Sequence, residues 1–366
     1  MAKIKIPYVN LKKQWISNRS NYLRIIDKEL SGGNFISSKT IDVLERKLSI
    51  YCKSKFCVTL NSGTDAILLA LHLLGVTKGD EVITAPNSFI ATASAIHHLG
   101  AKPVYVDVDD SFNIDPHKIE KKISKKTKAI LPVHLCGRLS NMKIIKNIAN
   151  KYNLKIVEDA AQSVGSMLDG KLAGYYGDIA TFSLHPLKNL NAFGDGGFLI
   201  TNSEHIYEKC KLLRNHGLEN RNNAKYFGYN SRLDSVQAAI VHFHLSQLNH
   251  VISKRRKNAM IYFNEIKRHD IILPVEKNKE YHTYHTFMIR SKFRNKLKEY
   301  LFKKGVETNI HYPILIPNQT ASKNFKIKKT KINNAENLSN EILTLPINQY
   351  LTDSEIKAIS NLINKF

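Results

Sequence analysis

An α/β fold with a mainly parallel sheet is predicted for this chain of 366 residues by three observations. Short β-branched runs alternate with helical segments from about residue 57 to residue 215, and such alternation produces parallel sheets whose two faces are covered by helices. After about residue 240 the chain becomes more helical and more charged, which indicates a second, smaller α/β domain. With 43% hydrophobic and 23% charged residues, the chain can bury a sizeable core.

The strand candidates of the first part follow one another in a regular order. FCVTL precedes a helix over TDAILLALHLLGV, and EVITAP precedes a helix over SFIATASAIHHLG. Further strands are predicted at KPVYVDV, AILPVHL, LKIVEDA, DIATFSL and GGFLIT. The intervening segments HKIEKKISKKTK and NMKIIKNIANKYN have apolar residues at helical spacing. In such sheets ligands bind beyond the carboxyl ends of the strands, so the residues that follow each run are the candidates for chemistry.

The second part of the chain carries fewer strand candidates. A charged helical stretch leads to a strand at YHTFMIR, a helix at RNKLKEYLFKKG, a short strand at VETNIHYP and a terminal helix from Thr352. We expect a large domain over residues 1–245, with an N-terminal segment that can pack on either domain, and a small domain over residues 246–366.

The net charge of +24 raises nucleic acid as a partner. The lysines are scattered, as in KKISKKTK and SKRRK, and form no stripe interleaved with aromatic residues of the kind that single-strand binders have. We interpret them as a solvated surface and expect no nucleic-acid partner.

Three further features concern the cellular compartment. No apolar run approaches the roughly 20 residues of a membrane-spanning helix, and the N-terminal segment MAKIKIPYVNLKKQW has no signal-peptide core. The cysteines Cys52, Cys57, Cys136 and Cys210 show no CxxC spacing and read as reduced thiols. We therefore expect a cytoplasmic protein without a membrane partner.

The first candidate site is LNSGTDAI, where a strand ends and a helix begins. The N-terminus of a helix offers unpaired N–H groups, and Gly63 lets the backbone approach an anion, which suits a phosphate. Taken alone this signal is weak, because Ser, Thr and Asp cap most helices.

Two further candidates lie at later strand ends. Asp159 closes the buried-strand pattern KIVED, where a carboxylate can bind a cation or simply form a solvated turn. Lys188 follows the strand that delivers Ser183, between the proline turn at Pro186 and a glycine cluster. A lysine forms Schiff bases with carbonyls once desolvation lowers its pKa.

Together, the phosphate cradle, the acid and the lysine are the three groups that a protein supplies to pyridoxal 5′-phosphate (PLP). Asp159 and Lys188 are separated by 188 − 159 = 29 residues, which leaves room for one intervening strand and places both groups at the same edge of one sheet.

The sequence resembles the DegT/DnrJ/StrS family of PLP-dependent sugar-nucleotide aminotransferases, which have the fold-type-I (aspartate-aminotransferase-like) architecture. The likeness runs from PYVNL at residue 7 to LTDSEI at residue 356. Its most specific stretches are NSGTDA, PNSFIAT, VEDAAQS, FSLHPLKNLNAFGDGG, GYNSRLDSVQAA and IHYP. The resemblance implies PLP as the cofactor and a homodimer with shared active sites.

The resemblance also implies the roles of individual residues. Lys188 would be the catalytic residue, which binds the cofactor covalently and later moves a proton, and Asp159 would bind the pyridine nitrogen. Gln162 would contact the phenolic oxygen, and Phe89 would stack on the ring. The phosphate would be bound by four positions of this subunit and one of its neighbour, namely Gly63, Thr64, Asp65, Ser183 and the neighbour's equivalent of Asn230.

The implied reaction transfers an amino group from an amino acid, by family habit L-glutamate, to a nucleotide-linked ketosugar. LPVHLCGRLSNM resembles a segment common in enzymes that aminate C-3 of dTDP-3-keto-6-deoxyhexoses, and His311, Tyr312 and Arg221 match positions near the sugar nucleotide in relatives. We therefore expect amination at C-3, with a C-4 aminotransferase of a dTDP- or UDP-4-keto-6-deoxysugar as the alternative.

Some positions depart from the family pattern. Cys136 stands where tyrosine is usual, Arg138 where glutamine is usual, and Pro317 where histidine is usual. The rival functions are a PLP-dependent sugar dehydratase, which would replace Lys188 by histidine, and a regulatory or nucleic-acid-binding protein without activity. The histidine pairs at 97–98 and 282/285 lack the accompanying ligand spacing of a metal site, and we expect no metal.

Overall fold

The computed structural model describes residues 5–324 and 331–366. Residues 1–4 of the N-terminal segment examined for a signal peptide lie outside these ranges. The helices of the described ranges are α1 (Leu11–Ser31), α2 (Lys39–Cys52), α3 (Gly63–Leu73), α4 (Ala91–His98), α5 (Met142–Lys151), α6 (Glu204–Leu213), α7 (Ser235–Glu265), α8 (Arg294–Lys303), α9 (Thr320–Asn324), α10 (Asn333–Glu341) and α11 (Asp353–Lys365).

The strands are mostly short. They are β1 (Phe56–Leu60), β2 (Glu81–Thr84), β3 (Lys102–Tyr105), β4 (Thr127–Leu131), β5 (Lys155–Asp159), β6 (Met167–Leu168), β7 (Lys171–Leu172), β8 (Ile179–Ser183), β9 (Gly197–Thr201), β10 (Leu218–Asn220), β11 (Asn223–Ala224), β12 (Ile271–Ile272), β13 (Glu280–Tyr281), β14 (Phe287–Ser291) and β15 (Ile342–Leu345).

A seven-stranded sheet organises the large domain, in the order β1-β9-β8-β5-β4-β2-β3. Strand β9 runs antiparallel to both of its neighbours, and the other pairs are parallel. Phe198 and Ile200 of β9 belong to the core on one face, whereas Leu199 belongs to the core on the other. Because helices cover both faces, the strands are apolar almost throughout. The predicted α/β fold with a mainly parallel sheet is confirmed.

The small domain has a three-stranded antiparallel sheet, β12-β14-β15. Its core includes apolar residues of α8, α11 and the end of α7, and also Ile6 from the N-terminal segment. Helix α1 packs on α7. The terminal helix begins where the sequence predicts it, since Thr352 caps α11 in a capping box with Glu355.

Two local predictions were wrong. Residues 306–313 form only isolated bridges, from Val306 to Ile6 and from Asn309 to Thr344 at the outer edge of β15, because their two partners belong to different segments and no continuous ladder forms. The segment 117–128 contains two short 3-10 helices, Pro116–Lys118 and Glu120–Lys122, rather than an α-helix. Its two isoleucines are too few for a continuous apolar face.

The proposed division at residue 245 falls inside α7, a single helix of 31 residues. Helix α7 contacts α1 and α2 near its beginning and α11 further along, so it connects the two domains. The boundary stays a prediction. No helix in the described part of the chain has the length and apolar character to cross a bilayer.

Candidate active site

The candidate site lies at the carboxyl edge of the large sheet. Strand β5 ends at Asp159 and its parallel neighbour β8 ends at Ser183, so these residues meet at one edge. A cavity of about 330 Å³ lies here, between the two domains. Nine residues singled out from the sequence line it, namely Gly63, Thr64, Phe89, Asp159, Gln162, Ser183, Lys188, His311 and Tyr312.

Lys188 reaches this cavity from the loop after β8. Its backbone N–H donates to the carbonyl of His185 at 2.8 Å, which closes the turn around Pro186. Burial lowers the pKa of Lys188 to about 8, although the charge of Asp159 opposes the change. No hydrogen bond or ion pair is made by the Lys188 amine within residues 5–324 and 331–366. The amine is therefore available to a carbonyl group in the cavity.

Asp159 is 4% exposed. Its Oδ2 accepts a hydrogen bond from Oγ1 of Thr92 at 3.1 Å, and its Oδ1 accepts one from the Ala161 N–H at 3.2 Å. Burial raises the pKa of this carboxyl, and the nearby charge of Lys188 counteracts the increase. A buried acid with a raised pKa favours a cationic partner in the cavity.

The N-terminus of α3 opens onto the same cavity. A side chain at Gly63 would bring its Cβ to 2.8 Å from Cβ of Ser183, and one at Gly197 would bring its Cβ to 2.4 Å from the Ser62 carbonyl carbon. Both glycines therefore allow α3 to approach the strand ends closely. The free N–H groups at this helix end suit an anion.

Asp65 does not line the cavity. Its backbone N–H donates to Oγ of Ser62, the N-cap residue, at 3.1 Å. This N–H is therefore already satisfied within the helix, and the geometry assigns Asp65 to the capped first turn rather than to the expected phosphate contact.

Gln162 links two walls of the cavity. Its Oε1 accepts from the N–H of Cys136 at 2.8 Å, and its Nε2 donates to the hydroxyl of Tyr312 at 3.4 Å. Phe89 is 57% exposed, and its ring centroid lies 5.8 Å from that of Tyr312. Phe89 is thus a cavity wall rather than a core residue.

His311 lies beside Tyr312 with its Nδ1 3.0 Å from Oγ1 of Thr344. Burial, followed by the charge of Lys188, lowers the pKa of His311 to about 4. The imidazole is therefore neutral at physiological pH and can donate or accept a hydrogen bond.

Two predicted site residues lie away from the cavity of their own chain. Asn230 is exposed and bridges to Asn215. Arg221 is exposed in the turn between β10 and β11. Neither lines the cavity.

Several lining residues were missed by sequence reasoning. Thr92 is a buried helix residue whose only sequence signal is its proximity to Phe89. Arg255, in SKRRK, was interpreted as surface charge but is 4% exposed and lines the cavity. The remaining missed residues with polar side chains are Tyr8, Ser62, His185, Asp195, His285 and Asn348.

The departures at 136 and 138 also have identifiable contacts. The Arg138 guanidinium pairs with Glu280 at 2.9 Å, which connects the two domains. Burial raises the pKa of the Cys136 thiol to about 12, so this thiol is not a nucleophile at neutral pH.

The residues present fit PLP. A buried amine that is unpaired among the described residues, a buried carboxyl and an anion-binding helix end converge on one cavity, and these are the three groups the cofactor requires. Within the described ranges, His, Cys, Asp and Glu form no group of three or more suited to a metal ion.

Comparison with known proteins agrees with this geometry. Residues 17–364 match the model of the DegT/DnrJ/EryC1/StrS aminotransferase family. The chain is 37% identical to dTDP-3-amino-3,6-dideoxy-alpha-D-galactopyranose transaminase of Aneurinibacillus thermoaerophilus, with 99% of both chains covered. It is 36% identical to UDP-N-acetyl-3-dehydro-alpha-D-glucosamine 3-aminotransferase of Acidithiobacillus ferrooxidans, with 98% of this chain and 97% of that one covered.

Among solved structures, the fold matches DesV of S. venezuelae in complex with a ketimine intermediate. The TM-score is 0.95 at 32% identity, over 100% of this chain and 98% of that one. The chain therefore belongs to the DegT/DnrJ/EryC1/StrS aminotransferase family and is a PLP-dependent sugar aminotransferase, as the sequence motifs predicted.

Proposed function

We propose that this enzyme transfers an amino group from L-glutamate to C-3 of a dTDP-3-keto-6-deoxyhexose. The observation that carries the proposal is the meeting of Lys188, Asp159 and the His311–Tyr312 pair around one cavity. Two of the relatives support C-3, since the names of both enzymes place the nitrogen at that carbon. They differ in the nucleotide, which makes a UDP-linked 3-ketosugar the second candidate.

Lys188 performs the proton transfers in this proposal. When bound, PLP supplies an electron sink for the carbon that loses its proton. The depressed pKa of Lys188, about 8, keeps a useful fraction of the amine unprotonated near neutral pH. A buried amine that can both accept and release a proton is suited to general acid–base catalysis.

Asp159 would orient the cofactor and would hold its ring nitrogen in the protonated form. The carboxylate is fixed by Thr92 and by the Ala161 N–H, so it does not need to reorganise on binding. Gln162 would contact the phenolic oxygen, and Phe89 would cover the ring. A large exposed aromatic side chain at a cavity wall supports the stacking role.

The phosphate would be bound by the N-terminus of α3 at Gly63 and Thr64, with the hydroxyl of Ser183. Asn230 would complete this site from a second copy of the chain, and its exposed position outside its own cavity supports that arrangement. We therefore propose a homodimer. Arg221, exposed on the neighbouring hairpin, would contact the sugar nucleotide.

His311 and Tyr312 would orient the sugar. Burial raises the pKa of the Tyr312 hydroxyl, so it remains a neutral donor. His311 is neutral as well. Hydrogen-bonding groups without charge suit the hydroxyls of a hexose.

All four cysteines are free, which supports the expected cytoplasmic location.

A product assay tests the proposal. The PLP-loaded enzyme is incubated with L-glutamate and, in separate reactions, with dTDP-3-keto-, UDP-3-keto-, dTDP-4-keto- and UDP-4-keto-sugars. We expect an amine at C-3 of the dTDP sugar and none with Lys188→Ala. Amination only at C-4 would contradict the proposed C-3 position. Amination only of the UDP-3-ketosugar would contradict the proposed dTDP nucleotide.

A further inference from the structure

Within the described part of the chain, Arg255 is a buried cation without a carboxylate partner. It projects from the middle of α7 and is 4% exposed. Its Nη1 donates to the carbonyls of Tyr284 and His285 at 3.2 and 3.0 Å, and its Nη2 donates to Oε1 of Gln349 at 3.2 Å. Its Nε is buried without a hydrogen-bond partner within the described residues.

These neutral partners satisfy some of the N–H groups but do not neutralise the charge. Burial lowers the pKa of Arg255 to about 10, which reflects the cost of a desolvated cation. The two carboxylates of the cavity, Asp159 and Asp195, form no ion pair with it in the described ranges. An unpaired buried charge is costly, so a ligand that supplies an anion here is strongly favoured.

Arg255 also lines the cavity that holds the reacting amine. The charges of both Lys188 and Arg255 lower the pKa of His285, after burial itself, so both cations lie near this imidazole. Both line the same cavity. An anion bound at Arg255 would therefore share a cavity of about 330 Å³ with the amine of Lys188.

This proximity selects between the anions that the reaction supplies. The α-carboxylate of an amino acid is one bond from the carbon that carries the amine. The diphosphate of a sugar nucleotide is separated from its keto carbon by part of the hexose ring. We propose that Arg255 binds the α-carboxylate of the amino donor, an inference that rests on the proposed use of an amino acid but not on the identity of the sugar.

The neighbouring Arg256 provides a matched control. It also donates to a backbone carbonyl of the same segment, that of His282 at 2.8 Å, but it pairs with Glu276 and does not line the cavity. Arg256→Gln therefore weakens a similar contact between α7 and the small domain without removing charge from the cavity.

The test follows the two half-reactions separately. With the PLP-loaded enzyme, the loss of yellow absorbance measures the reaction with L-glutamate. We expect Arg255→Gln to raise the concentration of glutamate at half-maximal rate by about tenfold to a hundredfold, the range expected when a hydrogen-bonded charge pair is removed. Arg256→Gln should stay near wild type. With the aminated enzyme, the KM for the ketosugar should be unchanged in both variants.

Two further measurements separate binding of the α-carboxylate from the rest of the reaction. Calorimetry measures the affinity for α-methyl-L-glutamate, which has the carboxylate but no α-hydrogen to lose, and Arg255→Gln should weaken it by a similar factor. Reactivity with 4-aminobutyrate, which is glutamate without the α-carboxylate, should be equal in wild type and Arg255→Gln. Arg255→Lys keeps the charge and should restore part of the affinity.

Glutamate affinity that is unchanged in Arg255→Gln, or a rise only in the KM for the ketosugar, would overturn the assignment. Failure of the proposed function has a different signature. If wild type reacts with glutamate and depends on Arg255 but aminates none of the sugars, the substrate proposal is wrong and the donor site stands. If wild type reacts with no amino acid, both fail.

Discussion

Nε2 of His134 lies 2.8 Å from Oε2 of Glu158, and neither side chain has any exposed surface. The Ser140 N–H donates to Nδ1 of His134 at 3.2 Å, so Nε2 carries the proton and donates to the carboxylate. Burial raises the pKa of Glu158, but His134 and the N–H groups of Gly174 and Gly177 lower it below its usual value. Glu158 is therefore an ionised carboxylate inside the core.

This pair fixes the strand end that carries Asp159. The backbone N–H of His134 donates to the Asp159 carbonyl at 2.9 Å, and the backbone N–H of Asp159 donates to the carbonyl of Pro132 at 2.9 Å. Glu158 precedes Asp159 in β5 and its side chain points to the opposite face of the sheet. The position of Asp159, which faces the cavity, is thus stabilised by the contacts of the adjacent Glu158 on the opposite face of the sheet.

We expect Glu158→Gln to weaken PLP binding as well as the fold. The amide cannot accept all the hydrogen bonds that the carboxylate receives, and a buried N–H left without an acceptor costs about 1–3 kcal/mol. Urea unfolding of the apoprotein measures the loss of stability, and fluorescence titration measures cofactor affinity. The control is Glu45→Gln, since Glu45 is a buried carboxylate bonded to Thr59 and Arg214 outside the cavity. If Glu158→Gln and Glu45→Gln bind PLP with equal affinity, the role of Glu158 is purely structural.

Lys188→Met should stabilise the apoprotein at neutral pH. The pKa of Lys188 is about 8 in the folded protein against a usual 10.5. At pH values between these two pKa values the unfolded chain binds more protons than the folded protein, so Lys188 makes the free energy of unfolding rise with pH. Below both pKa values the amine is protonated in both states, and its burial lowers the free energy of unfolding by a constant amount. We expect Lys188→Met to be more stable at pH 7 by the order of 2–3 kcal/mol, once screening by solvent is included.

The gain from Lys188→Met should shrink as the pH rises from about 8 towards 10.5. Urea unfolding of wild-type and variant apoproteins at several pH values tests this. Lys357→Met, at a lysine whose side chain is 57% exposed, serves as the control and should show no such dependence. A wild type that is at least as stable as Lys188→Met at pH 7 would contradict the buried-cation account.

The sequence contains enough information to place Asp159 and Lys188 together. Asp159 ends a strand and Lys188 follows one, both strands have a strong apolar pattern, and parallel neighbours end at one edge of a sheet. The strand over residues 306–313 was wrongly predicted because its pairing is limited to single bridges with Ile6 and Thr344, which are distant in the chain. Pairing partners of such short segments are decided by tertiary packing rather than by local pattern.

Arg255 could not be identified from its local sequence. It lies in a run of four cationic residues on α7, which is typical of a solvated helix face. Its burial comes from the carbonyls of Tyr284 and His285 and from Gln349, which are distant in the chain. The location of Asn230 outside the cavity of its own chain could not be predicted from a local pattern either, because its predicted role involves a second subunit.

Gly63→Ala should weaken cofactor binding more than folding. The new Cβ would meet Cβ of Ser183 at 2.8 Å, so the N-terminus of α3 must move away from the phosphate position. Gly194→Ala is the control, since its nearest atom would be Nε2 of Gln237 at an ordinary 3.5 Å. We expect a loss of about tenfold in PLP affinity for Gly63→Ala, equivalent to about 1.4 kcal/mol, and little change for the control. Inorganic phosphate should compete with PLP less effectively in Gly63→Ala, and unchanged competition would argue against a phosphate site at this helix end.

A mixing experiment tests whether Asn230 acts across a dimer interface. Lys188→Ala removes the reacting amine, and Asn230→Asp places a negative charge where the phosphate is proposed to lie, so each variant alone should have little activity. In a mixed dimer, the wild-type Lys188 of one subunit meets the wild-type Asn230 of the other at one of the two sites. After random exchange from equal amounts, half of the dimers are mixed, and about a quarter of wild-type activity should return. If Asn230 instead served the site of its own chain, both sites of a mixed dimer would be defective and activity would not recover.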